Sequence, residues 1–429
     1  MYLTLGMICA FFPQGLLGPF IGVIVDKFSR KRIMILSDLF ISLASLSLLI
    51  ISFFSGIPLY LIYIVLTLRS IGTAFHNPAF QALIATIVPK EMLTTCAGYS
   101  QGFKSLSTLL SPALGATFYG LWGLNVVILF DVFAGLFSII ILRILTIPND
   151  NPTHHKALHA NGNTTISTNT NVNMNMNMNT NTNVNVNMNM NTNTNANMNV
   201  NTNTNANTNT NVDAAHIKLK RVSFMNETIN GLHIIKETHG ILSLFMIGII
   251  YSFFYVPVGS LFPFIVIDHF HGTITHSSIV EILYSIGTLS GSFALAKTAK
   301  KLNKPFALSF SIFLYGTNIV ILALLPLNGG LSTFMVLALI MGTSTPFFFG
   351  IQTAFFQAYL PNEYLGRVFS INSSFKSLIM PITLSISGFA IENIGLSKWF
   401  LLLGILTVFL SFGTYFFSRI TSPRCPPPL

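Results

Sequence analysis

Eleven apolar runs of about twenty residues each constrain this chain more than any other feature, because a bilayer core needs about twenty apolar residues per helix. In the first part they cover residues 1–25, 33–54, 58–80, 97–120 and 123–146. In the second they cover 241–267, 278–298, 305–326, 331–358, 368–390 and 398–418. Composition agrees, with 52% of residues hydrophobic and only 8% charged, against about a quarter charged in a soluble domain. A water-soluble fold cannot hide that apolar surface at that charge density. The chain therefore reads as an all-α polytopic membrane protein, and soluble enzymes and nucleic-acid binders are excluded.

The formal net charge of +10 is a topology signal here, because the basic residues sit in short blocks between apolar runs. Lys27, Arg30, Lys31 and Arg32 share the first connection, and Lys90 lies in the third. Lys156, Lys218, Lys220, Arg221 and Lys236 lie in the long middle segment, and Lys297, Lys300, Lys301, Lys304 and Arg367 follow. The alternate connections, 55–57, 121–122, 268–277, 327–330 and 391–397, contain no Lys or Arg. The positive-inside rule then predicts a multi-pass protein with the basic connections and the C-terminus in the cytoplasm. No secretory signal peptide is evident.

Domain organisation follows from the interruption between the fifth and sixth runs. The expected divisions are an N-terminal bundle over 1–146, a cytoplasmic linker over 147–240, a C-terminal bundle over 241–420 and a tail over 421–429. Within the linker, Asn fills every odd position from 169 to 211, inside an Asn-rich tract spanning 161–212 that predicts disorder. Residues 222–238 are amphipathic and predict a helix on the cytoplasmic face. His154, His155 and His159 cluster ahead of the tract and read as solvated side chains. Cys9, Cys96 and Cys425 form no disulfide framework or metal spacing.

The two halves repeat each other. Pro89-Lys-Glu-Met-Leu93 is matched by Pro361-Asn-Glu-Tyr-Leu365, and Phe103-Lys-Ser-Leu106 by Phe375-Lys-Ser-Leu378, both at an offset of 272 residues. A shared offset in two motifs argues for duplicated bundles in parallel orientation.

Gly22-Val-Ile-Val-Asp26-Lys27-Phe-Ser29-Arg30-Lys31-Arg32 follows the pattern G-x-x-x-D-[RK]-x-x-R-[KR]. It resembles the signature loop between helices 2 and 3 of the major facilitator superfamily, with Ser29 in place of the usual Gly. Arg69-Ser-Ile-Gly72 resembles that superfamily's helix-4 pattern. Gly102, Ser111, Pro112 and Gly115 resemble its helix-5 antiporter pattern, with Ser111 in a position usually held by Gly. A finer similarity, to the macrolide-efflux branch, rests on Arg69 to His76, Cys96 to Gln101 and Glu363 to Ser370.

The resemblance implies two parallel-repeat bundles with twelve spans. It places the first run here at helix 2 of that plan, so a helix 1 is not seen and transport by this chain alone is put in question. It also implies proton-coupled efflux of lipophilic, often cationic drugs such as macrolides by alternating access, without a cofactor or metal, in a bacterial plasma membrane. Export of a native metabolite such as a siderophore is the alternative within transport, and a truncated, non-transporting membrane protein the alternative outside it. No Walker A pattern occurs, so ATP would enter only through a separate ATP-binding partner protein. The expected partners are lipid, protons and a small lipophilic substrate, with no nucleic acid, and the expected state is a monomer.

Ionisable groups within apolar runs are the candidate functional residues, since a charge at the bilayer centre needs a partner or water. Arg69 lies eleven residues into its span, about 16 Å deep. It is either a coupling residue that biases a nearby acid or a structural arginine. Asp131, about 12 Å into its span, is a helix–helix hydrogen-bonding group or a proton site. Glu281 is a protonatable group or a side chain reaching the outer surface. Asp38 is expected to pair with the basic first connection. Asp26, Arg30 and Arg367 are expected to form a conformational latch. Lys104 and Lys376 occupy repeat-equivalent positions and either line a positive inner vestibule or extend to the cytoplasm. No catalytic constellation is expected.

Overall fold

Apolar runs become helices here because a membrane offers no partner for unpaired backbone polar groups. The computed structural model describes residues 2–55, 57–145, 147, 231, 233–238, 240–326 and 330–420. Eleven long helices occur among them: α1 (Tyr2–Lys27), α2 (Arg30–Ser55), α3 (Leu59–Ile87), α4 (Leu93–Trp122), α5 (Leu124–Ile144), α6 (Ile241–Ser260), α7 (Ile274–Thr298), α8 (Lys304–Leu324), α9 (Gly330–Tyr359), α10 (Leu365–Ile394) and α11 (Leu396–Ile420). The Asn-rich tract 161–212 and residues 222–230 lie outside the described residues, while 233–237 are helical.

Ten of the eleven are long and apolar enough to cross a membrane. The remaining one, α4, is diluted by Ser, Thr, Gly and Lys104, yet it is 30 residues long. Several helices outrun the apolar stretches that announce them. The run at 58–80 continues as helix to Ile87, and that at 33–54 begins at Arg30. After α6 the chain makes a three-residue turn of helix, Phe262–Phe264, and one wide turn closed by Phe270 N donating to Ile265 O at 3.2 Å.

The 272-residue offset extends to the element boundaries. It maps Leu93–Trp122 onto Leu365–Ile394 at both ends, and brings α1, α2, α3 and α5 into register with α7, α8, α9 and α11 within a few residues. Only α6 lacks a counterpart among the described residues of the first half. Packing between the halves shows the same duplication, since α1 lies against α10 and its repeat-mate α7 lies against α4.

The interior differs between halves. The second is held by large buried aromatics, with Tyr251, Tyr315, Phe334 and Phe348 fully covered. The Tyr251 and Phe348 rings are 4.3 Å apart between centroids. The first half buries smaller side chains, among them Ile21, Val25, Met34, Ala74 and Ala79. Many large apolar residues point outward, including Phe103, Phe133, Phe389 and Phe409, as lipid-facing surfaces require.

Candidate functional site

The two halves meet at the end that carries the basic connections. The close approach begins with glycines on one face of α1. A Cβ at Gly22 would lie 2.5 Å from the Arg367 Cα, so any side chain there would push α10 away. Ser370 Oγ donates to the Gly18 carbonyl, and Gln14 Nε2 donates to Ser373 Oγ at 2.6 Å. On the other side of the same interface, a Cβ at Gly98 of α4 would lie 2.8 Å from the Ala296 backbone nitrogen on α7. Towards the opposite end, no atom lies within 4 Å of a Cβ built on Gly115 or Gly388, so α4 and α10 face open space there.

At this closed end α1 continues as helix through Asp26 and Lys27, and only Phe28 and Ser29 separate it from α2. Ser29 Oγ accepts a hydrogen bond from Arg32 N at 3.3 Å. The serine thus caps α2 at the position where the family pattern has a glycine turn. Asp26 is buried and reaches the start of α10. Gly366 N donates to its Oδ1 at 2.7 Å, Arg367 N donates to its Oδ2 at 3.2 Å, and Arg367 Nε lies 3.3 Å from the same Oδ2. The carboxylate therefore takes two backbone donors and one guanidinium from a single turn of another half. Arg30 Nη1 donates to the Ala82 carbonyl at 2.9 Å, and its guanidinium also contacts Thr86 and the Asn362 carbonyl. Arg30 thus ties α2, α3 and the turn before α10 together.

Deeper in the first half, Arg69 of α3 and Asp131 of α5 form a two-pronged ion pair, with Nη2 to Oδ1 at 3.2 Å and Nη1 on Oδ2. Ser45 of α2 completes it, accepting from Arg69 Nη1 at 2.6 Å and donating to Asp131 Oδ2 at 2.6 Å. The two charges compensate each other, and both side chains remain partly exposed.

Asp38 does not pair with the basic connection. It points between α3 and α5, where Ser138 Oγ donates to Oδ2 at 2.6 Å and His76 Nε2 lies 3.5 Å from Oδ1. Asp38 lies two turns inside α2, so its short side chain meets the neighbouring helices before it could reach the connection. Glu281 is exposed near the start of α7, with no hydrogen bond or ion pair among the described residues, and is not brought together with Arg69 or Asp131.

Lys376 donates to Gln352 Oε1 at 3.2 Å and sits 4.7 Å from the centre of the Phe349 ring. Lys104 lies near enough to Lys376 for the two ammonium groups to repel, and no carboxylate among the described residues pairs with either. A Cβ at Gly102 would lie 3.4 Å from the Ser292 Cβ, whereas Ser111 and Pro112 are exposed. No group of His, Cys, Asp and Glu able to hold a metal occurs among the described residues.

The Asp38–His76–Ser138 cluster has a sequence signal of its own. Asp38 and Ser45, Arg69 and His76, and Asp131 and Ser138 are each seven residues apart, two turns on one helix face. Three helices thus carry polar side chains at the same two levels.

The Major Facilitator Superfamily model matches residues 2–258 and 240–428. Macrolide efflux protein A of Streptococcus pyogenes is 35% identical over 408 residues, covering 95% of this chain and 85% of that protein. Macrolide efflux protein A of Enterococcus faecalis is 35% identical over 374 residues, covering 87% of this chain and 96% of that protein. A human organic anion transporter superposes with a TM-score of 0.69 at 12% identity, covering 96% of this chain and 83% of that one. A bacterial homologue of the iron transporter ferroportin, in an outward-facing state, superposes at 0.62 and 13% identity, covering 99% of this chain and 90% of that one. At these identities the two structures inform on fold alone.

Proposed function

This chain belongs to the Major Facilitator Superfamily and is a multi-pass membrane protein, and from that premise we propose that it exports lipophilic drugs such as macrolides in exchange for protons, by alternating access. The basic connections and the C-terminus face the cytoplasm of a bacterial cell in this reading. The protein works as a monomer without a cofactor, and its partners are the bilayer, protons and the drug.

The observation that carries the reading is the buried Asp26–Arg367 contact across the halves. A cavity closed at one end by separable polar contacts, and open at the other, is what a rocking transporter needs in one of its two states. In the proposed orientation this is the state open to the outside. The relatives' names support macrolides as the drug class. The Arg69–Asp131 pair supplies an ionisable carboxylate within the span, held by a fixed positive charge.

A second reading, export of an acidic native metabolite such as a siderophore, is favoured by one observation. Lys104 and Lys376 bring two amino groups near each other, with no carboxylate among the described residues paired to either. An anionic substrate would supply the missing counter-charge.

The test is erythromycin accumulation in a sensitive bacterial host expressing the chain, with and without a protonophore, with membrane abundance followed by blot. Lower accumulation that the protonophore reverses is the expected result. Unchanged accumulation with the protein present in the membrane overturns macrolide export.

A further inference from the structure

Between the two polar levels inside α2, α3 and α5 lies one further hydroxyl, bonded to neither. On α2, Asp38, Ser42 and Ser45 fall at i, i+4 and i+7, on one face and rising by about 6 and about 4.5 Å. Ser45 already bonds Asp131 at one end. Asp38 already bonds Ser138 and meets His76 at the other. Ser42 sits between them, buried, with a hydroxyl that has no hydrogen-bond partner. A buried hydroxyl without a partner is costly, and its retention calls for an explanation. Gly135 lies beside it on α5, between Asp131 and Ser138, and a Cβ there would collide with Ser42 Oγ and pass 3.7 Å from the Asp38 carbonyl. The glycine keeps space at the hydroxyl.

We propose that Asp131, Ser45, Ser42, Asp38 and His76 form a proton-conducting column through the interior of the first-half helices, separate from the cavity between the halves. The proposal rests on the proton-coupled reading above and identifies its route. Asp131 takes a proton from the open side and gives up part of its hold on Arg69, which stays charged throughout and carries none. Ser45 receives that proton on its oxygen as it passes its own to Ser42, and Ser42 does the same towards Asp38. Each step as far as Asp38 breaks one O–H bond and forms another, with a bridging water relaying the proton on either side of Ser42, and the last step breaks the Asp38 O–H bond and forms an N–H bond on His76. The proton comes to rest on His76 Nε2, facing Asp38 Oδ1, and leaves towards the basic end. One proton crosses and no other bond changes.

The ionisable groups facing this column come from the three helices that build it: Asp38 from α2, Arg69 and His76 from α3, and Asp131 from α5. The helices α1, α9 and α10 also pack on α3, and α4 packs on α5. They carry Asp26, Lys27, Lys104, Arg367, Lys376 and Glu392, of which Asp26 and Arg367 are engaged with each other and Lys376 with Gln352. His76 lies against the Phe80 ring at 6.3 Å between centroids, which screens that side of the imidazole.

The experiment uses the full chain in proteoliposomes with erythromycin as the probe. Two transport modes are compared: uphill efflux driven by an imposed pH gradient, and erythromycin counterflow, which needs no net proton movement. In His76→Gln and in the milder Ser42→Ala, uphill efflux is expected to fall by about tenfold or more with counterflow kept within about twofold of wild type. Wild-type uphill efflux in Ser42→Ala and His76→Gln overturns the column. Equal loss of both modes in both variants also overturns it, because a purely structural role predicts that. A wild-type protein showing counterflow but no pH-driven efflux removes the proton-coupled reading itself, and the column falls with it.

Discussion

Asp26 and Arg367 lie 341 residues apart, and the carboxylate of one accepts the backbone amide of the other at 3.2 Å while facing its Nε at 3.3 Å. No other acid among the described residues bonds across the two halves. Removing one partner of a buried ion pair costs about 3–5 kcal/mol, because the remaining charge loses its compensation. Asp26→Ala is therefore expected to part the halves at the basic end. A bismaleimide bridge between Gln14→Cys and Ser373→Cys, whose native side chains touch at 2.6 Å, reports the closed state. Crosslinking should drop severalfold in Asp26→Ala, and an undiminished yield contradicts the expectation.

The same reporter reads a steric version of the experiment. Gly22→Ala puts a methyl group 2.5 Å from the Arg367 Cα, a backbone atom that cannot rotate away. Overpacking of this kind costs about 1–3 kcal/mol. The expected outcome is a shift away from the closed state with Asp26 and Arg367 both intact, read as weaker crosslinking and slower efflux.

Arg69 binds Asp131 through both prongs of its guanidinium and also donates to Ser45. Lysine offers one compact charge and no fork. Arg69→Lys should therefore fail to rescue what Arg69→Ala loses, with efflux in both down by about tenfold or more, since charged hydrogen bonds contribute about 1.5–3 kcal/mol. Membrane abundance should stay near wild type. Full activity in Arg69→Lys would show that charge alone suffices.

Lys104 lies near enough to Lys376 to repel it, and the Lys104 ammonium has no hydrogen-bonded partner among the described residues. Lys104→Gln removes the repulsion and keeps the length. The melting temperature in detergent should rise by about 2 °C, the scale of 1 kcal/mol in a domain of 150–250 residues. A fall would mean that Lys104 makes a favourable contact elsewhere.

The helices are legible in the sequence because twenty apolar residues in a row have one low-energy form in lipid. Their ends are not, since hydropathy stops where polar residues begin and the helix does not. Residues 81–87 of α3 continue as helix past the end of the apolar run. Depth is likewise readable and direction is not. Counting residues places Arg69 near the middle of its span, but no apolar count says that Asp131 and Ser45 lie opposite it. Asp38 shows the cost, because nearness along the chain suggests the basic connection whereas the side chain points at His76 and Ser138. The spacing of seven on three helices carries that information, but only when the three are compared together.

Along the two long seams at the basic end, the contacts between the halves differ in chemistry. Between α1 and α10 the closure runs through a carboxylate, a guanidinium and hydroxyls, all of which can exchange partners with water. Between α4 and α7 it runs through Gly98 against the backbone of Ala296, which has no such partner to exchange. A duplicated architecture thus has an asymmetric joint, with a clasp along α1 and α10 and a hinge line along α4 and α7. On the alternating-access reading proposed above, rotation about that line swings the clasp side widest and opens the basic end beside α1.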